Sequence, residues 1–231
     1  MSTNLVISGG PLHDFDATTG AIVAALAEVG VRSTVFDDPR AALATLAEQP
    51  GAWDLVTVNA LRWTPSAPRH DHLRERWSFT LRDDEAELLH QHVRSGGGLL
   101  ACHTAALCFD GHPAWAACLG ATWDWERSSH PPLGPATISP TATAGQHPIT
   151  EGIEAFATVD EVYGFLRAEP GLEPLLTSPH GGVDHPVLWA REVGLGRVVT
   201  DLLGHDAGAV EHPSHREVLQ RAARWLGGAA A

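Results

Sequence analysis

In the stretch "GGGLLACHTAAL" (96–107), Cys102 and His103 stand side by side where an apolar run gives way to the start of a presumed helix. A thiol at a helix N-terminus meets free amide groups and the positive end of the dipole, which lower its pKa. Cys102 is therefore a candidate nucleophile, with a histidine as its base. The same turn could instead aim His103 into a pocket and leave Cys102 against the sheet, since neighbouring strand residues point to opposite sides. Spacing leaves both open. His13 and Asp14 follow an earlier apolar run, Asn59 follows another, and His205 with Asp206 follow "VVTDLLG". Ligands of open α/β sheets bind beyond the carboxyl ends of the strands, which singles these residues out. His90, His92, His212 and His215 fail that filter and read as solvated or capping side chains.

The elements that would position them alternate. "NLVIS" (4–8), "VRSTVFDD" (31–38), "WDLVTVNA" (53–60) and "LLAC" (99–102) read as strands. Between them, "TTGAIVAALAEVG" (18–30), "PRAALATLAEQ" (39–49) and "LRDDEAELLHQHVRSGGG" (81–98) read as helices with glycine or proline punctuation. The economical fold is α/β: a doubly wound, mostly parallel sheet flanked by helices. Beyond residue 119, short alternating runs such as "PVLWARE" and "GRVVTDL" read as extra short strands, some antiparallel, and 213–228 as a closing amphipathic helix. The segment 61–79, rich in Pro, Arg, His and Trp, reads as a long loop or lid in which Arg62, Trp63 and Arg69 would set specificity.

With 231 residues and 44% hydrophobic content, the chain 1–231 is expected to form a single domain. No apolar run is long enough to span a membrane, and the N-terminus lacks a signal pattern, so a cytoplasmic protein is expected. A net charge of −13 opposes nucleic acid and anionic lipid as partners and favours a small-molecule ligand. The chain has no lysine, which excludes Schiff-base catalysis and a GxxxxGK[ST] phosphate loop. Cys102, Cys108 and Cys118 form an odd set without a CxxC pair, against a disulfide framework or a zinc ribbon. The acidic surface and apolar edge strands are compatible with a homodimer.

"GGGLLACHTA" resembles the elbow segment of the ThuA-like (trehalose utilisation) family, within the class I glutamine amidotransferase-like superfamily. "GGPLHDF" (9–15), "HPITEGI" (147–153), "DEVYGF" (160–165) and "PVLWAREVGLGRVVTDLLGHD" (186–206) follow in the family's order. The resemblance implies a flavodoxin-like fold and places His103 at the family's elbow histidine, with Cys102 at a position usually apolar. It implies a pocket of His13, His103, Glu161, Tyr163 and His205, in which Asp206 orients an imidazole and Trp189 forms a wall. Asp14 and Asn59 join it as substrate-binding candidates, whereas Trp123 and Trp125 read as packing.

Two roles follow for that pocket. His13, His103 and His205 with Glu161 could hold a divalent metal, zinc or manganese, that polarises a carbonyl or activates water. Alternatively, His103 and Glu161, helped by His13 and His205, act as general acid and base on a sugar, glycoside or keto-sugar. The second is placed first because nothing resembles HExxH. A glutaminase elbow, G-x-C-x-G, is absent. "ACH" also resembles the elbow of the PfpI-like branch, which keeps a Cys102-dependent hydrolase as an alternative beside a non-catalytic domain that binds a sugar or a partner.

Overall fold

The computed structural model describes residues 1–227. Its frame is one nine-stranded sheet. In chain order the strands are β1 (Ser2–Gly9), β2 (Val31–Phe36), β3 (Leu55–Ala60), β4 (Gly98–Cys102), β6 (Gly134–Pro140), β7 (Phe156–Asp160), β9 (Pro174–His180), β10 (Val183–Val193) and β11 (Gly196–Asp201). Two short strands, β5 (Ala121–Thr122) and β8 (Arg167–Ala168), pair separately. The order across the large sheet is β2-β1-β3-β4-β11-β10-β9-β6-β7. Its first five strands are parallel and the rest antiparallel, so the extra strands of the second half extend the sheet rather than forming a layer of their own.

Helices cover both faces. On one face, α1 (Phe15–Ala27) and α7 (Pro213–Leu226) bury Ile22, Leu26, Val218, Leu219 and Leu226 against Leu55, Leu100 and Val199. On the other, α2 (Pro39–Glu48), α4 (Asp83–Arg94) and α5 (Pro113–Leu119) bury Leu43, Leu89 and Trp115 against Leu5, Val56 and Leu99. Both faces of the parallel half are covered, and its central strands β3 and β4 are buried at every position. The short helix α6 (Ala207–Glu211) joins β11 to α7.

Several boundaries differ from the sequence pattern. Helix α1 begins three residues before Thr18, because the Asp14 carboxylate caps it by accepting from the Ala17 N–H at 3.0 Å. Helix α4 stops at Arg94, since Gly96, at φ 112°, turns the chain into β4. No regular α-helix starts at Thr104; His103–Gly111 is a short, tight helical turn broken at Cys108–Asp110. The segment 61–79 is not all loop: Pro68–His70 makes one tight turn and Asp71–Trp77 forms α3. Leu73 anchors it under Phe15, Leu61 and Trp63, and Arg74 bonds the Pro65 carbonyl at 2.9 Å. Gly228, the last residue of the expected closing helix, lies outside the described residues. No described helix is long and apolar enough to cross a membrane.

Candidate functional site

His103 follows the last residue of β4 with φ 45°, a left-handed conformation costly for a side chain with a Cβ and often found at functional turns. The ring is buried and its Nδ1 lies 2.7 Å from the carbonyl oxygen of Leu202, just after β11. A carbonyl only accepts, so Nδ1–H donates there, and in the neutral ring Nε2 is then the lone-pair nitrogen. That lone pair faces the Tyr163 hydroxyl at 3.0 Å, which donates to it. Burial, then the charges of Glu161 and Asp160, push the Tyr163 phenol well above its ordinary pKa and keep it protonated.

The loop after β1 brings in His13. Gly10 makes the loop fit: an added Cβ would lie 2.7 Å from the Leu61 carbonyl oxygen. His13 Nε2 comes within 3.3 Å of His103 Nε2, while its Nδ1 is buried without a hydrogen-bond partner. Burial, followed by the neighbouring imidazoles of His103 and His205, lowers its pKa against the pull of Glu161. His205, from the loop after β11, places Nδ1 3.2 Å from Glu161 Oε2, misaligned for a hydrogen bond.

Glu161 is the centre of the group. Its carboxylate lies 3.7 Å from His103, 3.9 Å from His13 and, on its other oxygen, 3.4 Å from His130. Burial works to raise its pKa, but the surrounding imidazoles of His103, His13, His130 and His205 outweigh it and hold the carboxyl well below the usual range. One atom each from His13, His103, Glu161 and His205 lie within 4.8 Å of one another, so the group could hold a metal ion.

Asp160, beside Glu161 at the end of β7, fixes the geometry. Its buried carboxylate accepts the N–H groups of Gly204 at 2.7 Å, His205 at 3.1 Å and Glu161 at 2.8 Å. One side chain thus ties the Glu161 strand end to the His205 loop. Above the group opens a pocket of about 220 Å³ whose walls include Trp63, Trp123, Trp125 and Tyr163. Trp63 and Trp125 stack at 6.3 Å.

Sequence reasoning placed His13, His103, Glu161, Tyr163 and His205 in one pocket, and the structure brings these five together. It places others elsewhere. Asn59 is buried and donates to the Thr18 and Thr19 hydroxyls at 3.0 and 2.9 Å, which ties β3 to α1. Trp189 is fully buried, with its indole N–H on the Leu119 carbonyl at 2.6 Å. Asp206 orients no imidazole; it caps α6 through the Ala209 N–H at 2.8 Å. Asp14 caps α1 and lines a neighbouring cleft.

Cys102 is packed in the core among Leu100 and Val199, and burial followed by the Asp201 charge pushes its thiol well above the ordinary range. His103, not Cys102, therefore joins the His/Glu group beneath the pocket. Trp123 and Trp125 are pocket walls rather than packing. His215 is no solvated cap: it is buried, with Nε2 2.8 Å from Asp201. His130 and Asp160 escaped the sequence reading. His130 follows no strand of the large sheet, and Asp160 was visible only as the first letter of "DEVYGF".

Residues 9–226 match the profile of a family described as ThuA, trehalose utilisation. No curated protein matched the chain. Among solved structures, a ThuA-like protein of Parabacteroides merdae superimposes with a TM-score of 0.77 at 16% identity, covering 98% of this chain and 90% of that one. A cytoplasmic protein of Salmonella typhimurium LT2 gives 0.67 at 12% identity, over 97% of this chain and 99% of that one. A β-galactosidase from Rahnella sp. R3 gives 0.61 at 13% identity, over 97% of this chain but 31% of that one. At such identities the structural likenesses speak for the fold alone. The match of the family profile spans nearly the whole sequence: the chain belongs to the ThuA (trehalose utilisation) family.

Proposed function

We propose that this protein is an enzyme acting on a sugar, glycoside or keto-sugar, in which His13, His103, His205 and Glu161 hold a divalent cation, zinc or manganese. The observation that carries the reading is the convergence of three imidazoles and an ionised carboxylate within 4.8 Å. The donor set suits such an ion, being nitrogen and carboxylate oxygen. It is also poorly satisfied otherwise. The Nδ1 of His205, 3.2 Å from Glu161, is buried with no hydrogen-bond partner. A bound cation of this kind polarises a carbonyl or lowers the pKa of a water.

The chain's own groups have separable tasks. Leu202 fixes the His103 tautomer, the arrangement expected of an imidazole whose other nitrogen binds a ligand. Glu161 supplies negative charge, and Tyr163 offers a phenolic proton at the pocket floor. The indoles of Trp63, Trp123 and Trp125 give flat apolar faces of the sort that pack on the C–H side of a sugar ring and exclude water. The family's name, trehalose utilisation, is in keeping with such a ligand. The buried Cys102 thiol speaks against a Cys-dependent hydrolase.

Elemental mass spectrometry on protein purified without a polyhistidine tag tests the reading, with His103→Ala alongside. Near-stoichiometric zinc or manganese in the parent, at least about tenfold lower in the variant, is the expected result. Absence of metal from both would sink the metal centre. The second reading would then stand, with His103 as the base that Tyr163 contacts at 3.0 Å and Glu161 as its partner.

A further inference from the structure

The His/Glu group lies on one side of His13. On the other, the same side chain lines a second cleft of about 400 Å³, bounded by Gly9, Gly10, Arg62, Arg76 and Trp77. This cleft opens beyond the carboxyl ends of β1 and β3, where the order β2-β1-β3 reverses direction, the position at which open α/β sheets bind ligands.

Arg62, two residues past the end of β3, is only 8% exposed. Its guanidinium forms no ion pair among the described residues, and the charges of Asp37 and Asp38 act on it from farther away. Its side chain donates one hydrogen bond, from Nη2 to the Asp37 carbonyl at 2.6 Å, while Nε is buried without an acceptor. The guanidinium stacks 4.8 Å from the Trp77 ring, and that of Arg76 lies 4.7 Å from the same ring. Two cations thus share one indole. A buried cation with no carboxylate in direct contact is costly, and a ligand anion offsets that cost.

Three carboxylates also line the cleft. Asp14 is occupied as the cap of α1, whereas Asp16 and Asp37 are exposed at the rim. Rim carboxylates repel a bare anion but accept hydrogen bonds from hydroxyl groups. The mixture fits a molecule that carries both.

We infer that this cleft binds the acidic group of a hydroxylated acid, a sugar acid or sugar phosphate. Arg62 and Arg76 take the carboxylate or phosphate, Asp16 and Asp37 accept from hydroxyls, and the rest of the ligand reaches past His13 to the His/Glu group. The inference rests on the carbohydrate reading above and narrows its substrate to an anionic one.

Calorimetric titration with inorganic phosphate, D-gluconate and D-glucose tests it on the parent, Arg62→Gln, Arg76→Ala and His103→Ala proteins. Phosphate or gluconate should bind the parent at least about tenfold more tightly than glucose, and lose about tenfold or more in each arginine variant. Which of the two anions binds tells a phosphate from a carboxylate ligand. Arg76 is exposed, so its variant keeps the test readable if Arg62→Gln does not fold. His103→Ala should retain anion binding, which separates this cleft from the His/Glu group whether or not that group holds metal. Glucose binding as tightly as both phosphate and gluconate, or anion binding untouched in a folded arginine variant, overturns the inference. So does anion binding lost only in His103→Ala, which would put the anion on the imidazoles.

Discussion

Glu161 and Tyr163 sit on either side of the same question, because each touches the His103 imidazole but only one carries charge. Glu161→Gln keeps the volume and removes the negative charge held against four imidazoles. Zinc affinity is expected to fall about 10–100-fold, measured by competition titration. Tyr163→Phe removes only the hydroxyl on His103 Nε2 and should leave zinc affinity within about threefold while turnover falls. If zinc affinity were unchanged in Glu161→Gln, the carboxylate would not be a ligand. The sequence made these residues visible unevenly. His13, His103 and His205 each follow a strand, so periodicity alone flags them, whereas Glu161 and Tyr163 were legible only through the resemblance. Asn59, in the last residues of β3, and Asp206, after β11, were flagged by the same filter, yet their hydrogen bonds go to Thr18, Thr19 and Ala209. Position past a strand end says where a side chain starts, not which partner it finds. His130 shows the converse, reaching Glu161 from the irregular stretch between β5 and β6.

The order of helices and parallel strands was legible because each apolar run has its own period and its own glycine or proline stop. What the pattern could not give was the coupling between elements, which runs through single buried carboxylates. Asp160 joins β7 to the loop after β11 through the N–H groups of Gly204 and His205, and accepts the Glu161 N–H as well. Asp160→Ala should leave those donors unsatisfied, cost about 3 kcal/mol or more in urea unfolding, and weaken metal binding with Glu161 and His205 unmutated. An unchanged metal affinity would show that the two residues are positioned without it. Asp201 does the same for α7. It accepts the Leu203 N–H at 3.1 Å, next to the Leu202 carbonyl that holds His103, and pairs with His215 in the first turn of α7. Burial disfavours charge on His215, but the Asp201 carboxylate outweighs it and raises the imidazole from 6.5 to about 9. A raised folded pKa gives stability that is complete below about 6.5 and lost as pH climbs through about 9. That loss is on the order of 3 kcal/mol, or roughly 6–12 °C in thermal midpoint. A midpoint that stays flat from pH 6.5 to 9 in the parent protein would remove the pair from the stability account.

For the whole molecule, histidine decides how charge varies with pH. Protonating all 14 imidazoles would take the formal charge from −13 to +1, and the sequence alone gives an isoelectric point of about 5.4. Folding shifts that balance. Burial lowers the pKa of His92 and His147, and of His70 and His185, so the native chain takes up protons at lower pH than the unfolded one. His215, raised to about 9, is already charged in this range and does not compensate. The native isoelectric point should therefore lie below 5.4, with solubility falling towards that lower pH, whereas the urea-unfolded chain should focus near the sequence value. The same groups set the acid side of stability. A histidine with a lowered folded pKa costs nothing above about 6.5 and destabilises progressively below it, because there the unfolded state binds more protons. Joined to the loss of the His215–Asp201 pair on the alkaline side, this places the stability maximum near pH 6.5. Urea unfolding of metal-free protein across pH 5 to 9 measures it directly. His215→Gln should lower the curve most below about pH 6.5, approach the parent as pH climbs through about 9, and so lose the alkaline fall while keeping the acid one. A variant curve that kept both limbs would mean that the alkaline loss comes from other groups, and that α7 is held to β11 by packing alone.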